Sequence, residues 1–470
     1  MFWEDDELSE LAGTEAEGMG ESDRDVTRAD WEGLVAPALG ALVHAAVAWV
    51  GEHGWGGVPG ATGGAAAAGL AGALRSRLDL PAYRRAASLV ASRSFGVDHE
   101  HLDSMVPVAD LFNHKASIVD IDGDWEVHQH AYADSSDGDE ADERSGAEAE
   151  GSGAEAEGGG GGDPTAPRKD PRLAADPSLA LEIAICDRGD WEHPSAFGRA
   201  FPGALEIVAA RDLAAGQEIH NTYGEHGNAA LLRKYAFCLE GNPFTEVPLD
   251  KGELVEHARA LFLEEFAGAD LAGLAGGAGG RPRKRARGGD GAAAAATLEG
   301  WWERRLGFVR GATALLDVDG DGDEVDPAVV YAGGYVNATT PVLLFALTQG
   351  PGAEAGWGGA GPRGLLGALA AAVGEGGWAP GSDPVVHVAE VRAAVGPRGL
   401  ALLSAAAARR GADARYGRPL AEDRARLAAA RAEARACRGP LPDALVARLG
   451  ARALRVSERE ALRDISAACA

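Results

Sequence analysis

The sequence predicts an α+β fold: a β-rich first half, interrupted by a helical insert, and a helical second half. Three observations carry this. Ser117–Tyr132 alternates apolar and polar residues, and Leu179–Cys186 and Ala204–Ala209 are short apolar runs, as strands are. Beyond Gly241 the apolar residues recur at three- and four-residue intervals, in stretches separated by Gly/Ala linkers, which is the helical period. Between the two halves, Gly216–Phe237 (GQEIHNTYGEHGNAALLRKYAF) passes from an extended segment ending at Gly224 to a helical pattern after Gly227.

At 470 residues the chain is long enough for two or three domains and a substantial core. Its formal charge of −28 argues against non-specific binding to a phosphate backbone and favours basic protein partners. Cys186, Cys238, Cys437 and Cys469 lack C-x-x-C spacing, which suits a reducing compartment and provides neither a disulfide framework nor a zinc site. No apolar run reaches the ~18–20 residues of a membrane span, and Met1–Leu8 is acidic, unlike a signal peptide.

In chain order, FWEDDELSELAGT is expected to form a short helix leading into Trp31–Val50. There Trp31, Leu34, Val35, Leu39, Leu42, Val43, Ala46 and Val47 recur at helical intervals, predicting a largely buried helix, with His44 an ordinary helical residue. Gly51–Gly72 is a Gly/Ala linker, and Pro81–Ser94 a helix with Arg84 and Arg85 on its solvent side. Asp134–Asp163 holds eleven Asp/Glu against one Arg and is expected to be a disordered acidic loop. In the second half, Leu254–Phe266 and Trp301–Leu316 read as helices, the latter with Trp302, Leu306, Val309 and Leu315 on one face. Between them, Arg281–Arg287 places five basic residues among seven, the pattern of a nuclear-import patch. Asp317–Asp323 imitates a calcium loop, but Ala328 stands where the bidentate Glu is required. An Ala/Arg helix to Cys437 and a further helix over Leu445–Leu462 complete the chain.

Tyr223 sits where the extended segment gives out, and Tyr235 on the helix that follows. On spacing alone these are two core tyrosines. A second stretch changes the reading. Ser92-Arg93-Ser94-Phe95, then MVPVADLFNH from Met105 to His114, precede the tyrosine stretch in a fixed order. Together SRSF, MVPVADLFNH, GQEIHNTYG and NAALLRKYAF resemble the SET-domain protein-lysine methyltransferases. The branch is the one that includes the Rubisco large-subunit, ribosomal-protein and nuclear relatives.

The resemblance implies an α+β architecture: a β-rich SET domain over 1–243 with a helical insert at 25–94, then an α-helical substrate-binding domain over 244–470. It implies S-adenosyl-L-methionine (AdoMet) as methyl donor, with Asn113, His114 and Arg93 binding it and Tyr223 at the transfer point. Asp110, Tyr235 and Phe237 would serve substrate binding, the two rings as walls of the lysine channel. No metal is expected, since His114 has no second ligand at suitable spacing. The partner implied is a basic protein carrying the target lysine, met by a monomer in nucleus or cytoplasm, with a plastid address left open. No direct nucleic-acid or membrane partner is expected. SET domains begin with strands bearing a G-x-G loop, where glycine lets main chain approach the cofactor. No such strand-loop precedes Met105, because Gly54-Trp55-Gly56 lies in the linker, so the core is expected to be incomplete at its start. The alternative function is a catalytically silent protein-binding module derived from such an enzyme.

Deleting Asp134–Asp163 should leave the thermal unfolding midpoint unchanged, since such a composition buries little apolar surface. With a basic protein substrate, KM should rise on deletion and the difference should shrink at high salt. Equal KM values at all salt concentrations would make the loop a passive insertion.

Overall fold

The structure, a computed structural model, describes residues 3–53, 69, 71–73, 77–96, 103–117, 183–187, 205–209, 211–266, 291–313, 328–350, 362–374 and 385–470. They fall into two units, Met1–Ser92 with His226–Ala470, and Arg93–Glu225. Helices dominate, with small sheets among them, an α+β mix. Most of the expected strand Ser117–Tyr132, the acidic run Asp134–Asp163, the basic patch Arg281–Arg287 and the loop Asp317–Asp323 lie outside the described residues.

The first unit opens on α1 (Asp5–Leu8), where Glu4 and Glu7 form a capping box. A 3₁₀ turn, Ser9–Leu11, follows. Leu8, Leu11 and Ala16 bury themselves with Leu232, Ala451 and Leu454, so this segment is a strap laid on the C-terminal helix. Helix α2 (Met19–Asp30) runs through a π turn, Trp31–Val35, into α3 (Ala36–His53). The expected burial of this helix is corrected: Leu34, Leu42 and Trp49 are 70%, 66% and 60% exposed, and Val43 is the buried exception. Helical periodicity predicted the helix well, but apolar residues surround it on all sides, so periodicity could not select a face for the core. The span Met19–Trp49 is also long and apolar enough to cross a membrane by length and composition, which corrects the reading that no run is. Helix α4 (Leu80–Arg93) matches expectation in extent, but Arg84 is not on the solvent side. Its guanidinium donates to Thr27 Oγ1 (3.2 Å) and to the Arg24 carbonyl (2.9 Å).

In the second unit, β1 (Ser94–Gly96) pairs antiparallel with β2 (Asp103–Met105), and Ser94 faces Met105. A 3₁₀ turn, Ala109–Leu111, leads to β3 (Asn113–His114). The expected strand pair appears as β4 (Ile183–Asp187) and β5 (Leu205–Ala209), antiparallel with Ile185 opposite Ile207. Finally β6 (His220–Asn221) runs parallel to β3.

Back in the first unit, α5 (Asn228–Tyr235) ends where Ala236 adopts a left-handed φ of 64°. Strands β7 (Glu246–Leu249), β8 (Ala328–Tyr331), β9 (Tyr335–Asn337) and β10 (Val385–His387) form one antiparallel sheet in the order β10-β9-β8-β7. Around it pack α6 (Lys251–Phe266), α7 (Gly291–Thr313), α8 (Thr339–Thr348), α9 (Pro362–Val373) and α10 (Val388–Arg410). Phe262, Trp302, Val330, Leu344, Leu365 and Leu403 share this core, with Trp302 and Val309 buried as their spacing predicted. Arg305, fully buried, donates to the carbonyls of Gln349 and Gly350 at 2.7 Å each, satisfying the end of α8, which is apolar along its length.

The chain closes with α11 (Asp413–Tyr416), α12 (Leu420–Ala436) and the 27-residue α13 (Asp443–Cys469). One face of α13 is apolar. Another carries Arg455, Glu458 and Arg459, all buried. Tyr416 gives its hydroxyl hydrogen to Glu458 Oε2 (2.9 Å) and accepts from Arg410 Nη1 (2.9 Å). The Glu15 amide donates to Glu458 Oε1 at 2.8 Å, and Arg410 also pairs with the Glu15 carboxylate. Arg455 donates to Asp423 (3.1 Å) and to the strap carbonyls of Glu10 (3.2 Å) and Ala12 (2.6 Å).

Arg455→Ala should cost about 3–5 kcal/mol in denaturant unfolding, because it takes one of two buried guanidinium partners from Asp423 and removes the donor that meets the Glu10, Ala12 and Tyr416 carbonyls. Burial pushes the Glu458 carboxyl up to about 8, against the lowering pull of the Glu15 amide and Arg410. A folded value above the unfolded one means a stabilisation that is complete below the ordinary carboxylate range and is lost as pH rises through about 8. Thermal melts from pH 5 to 8.5 should therefore show a decline that Glu458→Gln flattens. An identical decline in that variant would remove Glu458 as its source.

Candidate active site

The short parallel pairing of β3 with β6 builds the site in the second unit. It sets Asn113 opposite His220 and His114 opposite Asn221, and the Lys115 amide extends it by donating to the Asn221 carbonyl (3.0 Å). Tyr223 leaves β6 two residues later and is therefore delivered beside His114. Its backbone N–H donates to His114 Nδ1 at 2.9 Å, its ring stacks on the imidazole with centroids 5.0 Å apart, and its hydroxyl donates to the Phe112 carbonyl at 2.7 Å. The phenol is thus held at both ends by the segment that carries the Asn-His pair. Because Nδ1 accepts, the neutral imidazole carries its hydrogen on Nε2.

The turn behind Tyr223 explains why Gly224 follows it. Gly224 has a φ of 116°, a conformation glycine adopts without a Cβ penalty, and the Thr222 hydroxyl meets its amide at 3.2 Å. Thr222 and Asn221 are buried, so the base of the turn is packed while Tyr223 stays half-exposed. Burial raises the phenol's pKa, and the nearby Arg93 charge pulls weakly the other way. Tyr223 is accordingly a neutral hydrogen-bond donor at physiological pH rather than a phenolate.

Arg93 reaches the same neighbourhood by donating to the Asp110 backbone carbonyl. It is the main chain of Asp110, not its carboxylate, that meets this guanidinium. Val108, just before the 3₁₀ turn, has a φ of 78°, an uncommon conformation for a β-branched residue, and it is 61% exposed. Asn113 is exposed, and its Nδ2 donates to Glu218 Oε1 at 2.9 Å. Arg93, Asp110, Asn113, His114 and Tyr223 lie in one unit.

Tyr235 and Phe237 belong to the other unit, one at the last turn of α5 and one just past it. The left-handed Ala236 between them lets their rings meet at 6.2 Å, and His226 lies 6.1 Å from Tyr235. Lys234 Nζ stands 5.6 Å from the Tyr235 ring centroid, so that face already accepts an ammonium ion. Two residues missed in the sequence hold this loop. Buried Asn228 donates to the Leu239 carbonyl (3.0 Å) and Ser457 Oγ (3.1 Å) and accepts from the Leu239 amide (3.0 Å). Buried Asn242 donates to the His226 carbonyl at 2.9 Å and accepts from the Phe244 amide at 3.0 Å. Both asparagines stand next to turn residues, Gly227 and Pro243, which is the one local signal that marked them.

No family model matches the chain. It is similar to "Ribosomal lysine N-methyltransferase 3" of Saccharomyces cerevisiae, 28% identical over 188 residues, covering 37% of this chain and 31% of that one. Two proteins of Schizosaccharomyces pombe also match. "Ribosomal lysine N-methyltransferase set11" is 33% identical over 63 residues, 13% of this chain and 16% of the relative. "Ribosomal lysine N-methyltransferase 4" is 36% identical over 92 residues, 18% of this chain and 20% of the relative. The aligned stretch spans less than a third of each relative's length. Over part of its length, the chain is a distant homologue of proteins named ribosomal lysine N-methyltransferases.

Proposed function

We propose that this chain is an AdoMet-dependent protein-lysine N-methyltransferase of the SET-domain type. It would act on a lysine in a basic protein, with a ribosomal protein the first substrate to try given the names of its relatives. The observation that carries the reading is the double anchoring of Tyr223, by its amide to His114 and by its hydroxyl to the Phe112 carbonyl. An anchored, neutral phenol beside an Asn-His pair matches what the SET-domain resemblance implies for the methyl-transfer point. When bound, AdoMet supplies an electrophilic methyl group on a sulfonium.

The donor set fits such a molecule. Asn113 is exposed with its nitrogen end engaged by Glu218, so its Oδ1 is available to an N–H of the cofactor. The His114–Tyr223 stack provides a fixed aromatic face, and the second unit carries no competing cluster of metal ligands among the described residues. The chain's part in the chemistry is then mainly positioning. A free lysine has a pKa near ~10.4, so only about one in ~2500 is neutral at pH 7. Desolvation beside an aromatic wall lowers that value. With its hydrogen given to the Phe112 carbonyl, the Tyr223 hydroxyl would turn an oxygen lone pair to the reacting amine, and the departing lysine proton passes to solvent. The basic patch Arg281–Arg287 supports a nuclear address for the same enzyme.

Tyr223→Phe tests the assignment. With stripped ribosomal proteins as substrate, kcat should fall at least ~10-fold while AdoMet affinity hardly changes, because one aimed hydroxyl is removed and the ring stack is kept. Wild-type turnover in that variant would reduce Tyr223 to a packing residue. Binding of basic protein with no methylation by either form would favour a silent binding module.

A further inference from the structure

We propose that Glu218 is a positioning residue, which fixes the polarity of the Asn113 side-chain amide and thereby makes the site select an N–H donor on the cofactor. The inference rests on the AdoMet reading above and deepens it. Asn113 and Glu218 are 105 positions apart in sequence. They meet because β3 and β6 run parallel, with Asn113 opposite His220, so that the turn leading into β6 passes the Asn113 side chain. The Asn113 Nδ2–Glu218 Oε1 distance of 2.9 Å is a well-formed hydrogen bond.

The chemistry of this pair is one-sided. A carboxylate only accepts, so the amide must turn its NH₂ end toward Glu218 and leave Oδ1 as the end that an incoming group meets. Oδ1 in turn only accepts, so its partner on the cofactor has to be a donor. AdoMet offers two nitrogen donors, the exocyclic amine of adenine and the α-ammonium of its methionyl part. The other described group near Glu218 is His220, whose Nε2 lies 3.7 Å from Oε1, too far for a strong hydrogen bond, so the carboxylate is left to Asn113. Glu218 is 63% exposed along its side chain, and its neutral isostere is expected to fold as the wild type does.

Glu218→Gln releases the constraint. A glutamine amide can meet Asn113 with its oxygen or with its NH₂, so Asn113 no longer has a fixed polarity and part of the time turns its own nitrogen to the cofactor's donor. Equilibrium calorimetry with S-adenosylhomocysteine, the stable demethylated form of the cofactor, reads this without any catalysis. Two analogues accompany it, one lacking the α-amine and one with the adenine amine replaced by a carbonyl. The variant should bind S-adenosylhomocysteine about two- to tenfold more weakly than wild type, the upper end being the scale of one polar contact to a charged or amide donor. The penalty should vanish for the analogue that lacks the donor facing Asn113, and which analogue that is identifies the donor. A wild type that binds all three, with a variant that binds them equally well, overturns the role of Glu218 and leaves the AdoMet reading standing. A uniform loss across all three ligands overturns it too, since it marks a merely structural residue. A wild type that binds none of the three overturns both.

Discussion

Everything in the first unit hangs on a set of ionisable groups buried along one face of α13. Removing Arg455, Glu458 and Arg459 from water is costly unless each is paired, and the pairing partners come from three different stretches of chain. Asp423 of α12 meets Arg455 and Arg459, Tyr416 and Arg410 meet Glu458, and the strap residues Glu10, Ala12 and Glu15 close the set with main-chain groups. Three guanidinium groups lie 4.9–5.6 Å from the Tyr416 ring centroid, which gives the buried cations a polarisable face as well as carboxylates. The strap is therefore held to α13 both by apolar contact and by satisfied polar groups, and neither set is complete without it.

That arrangement reaches the aromatic loop of the same unit. Ser457, the neighbour of Glu458 on α13, receives Asn228, and Asn228 holds Leu239 from both its amide and its carbonyl. Gly450 on α13 admits the Leu232 side chain so closely that a Cβ there would lie 2.3 Å from it. Helix α5 and the loop bearing Tyr235 and Phe237 are thus seated on α13, and the rings inherit their positions from a helix 200 residues later. In the second unit a different constraint does the equivalent work. Two residues of parallel pairing bring His114 under Tyr223, and burial keeps the phenol neutral.

Much of this was legible in the chain. The ordered motifs picked out Arg93, Asn113, His114 and Tyr223, and the structure assembles them in one unit. The strand pair near Cys186 and Ile207, helix α5, the Trp302 face and the C-terminal helices appear close to where their periods predicted. What failed did so for identifiable reasons. The helix around Leu42 is apolar on every side, so its pattern could not say which face, if any, is covered. Arg84 looked like a surface residue because nothing local reveals that Thr27 and the Arg24 carbonyl will receive it. Asn228, Asn242 and the strap gave weak signals because their partners are remote in sequence.

By itself the sequence determined the helical and extended stretches, the net charge, and the ordered motifs on which the family resemblance rests. These are local or compositional properties, set by side-chain period, turn residues and charge count. Only the tertiary structure decided which carbonyl the Tyr223 hydroxyl meets, that Arg93 engages the Asp110 main chain, and that Glu218 turns the amide of Asn113. It alone decided that Glu15 would find Glu458 across 443 positions. Each of those is a hydrogen bond between groups distant in the chain. Such bonds are directional over a few tenths of an ångström, and they exist only once packing has brought the backbones together.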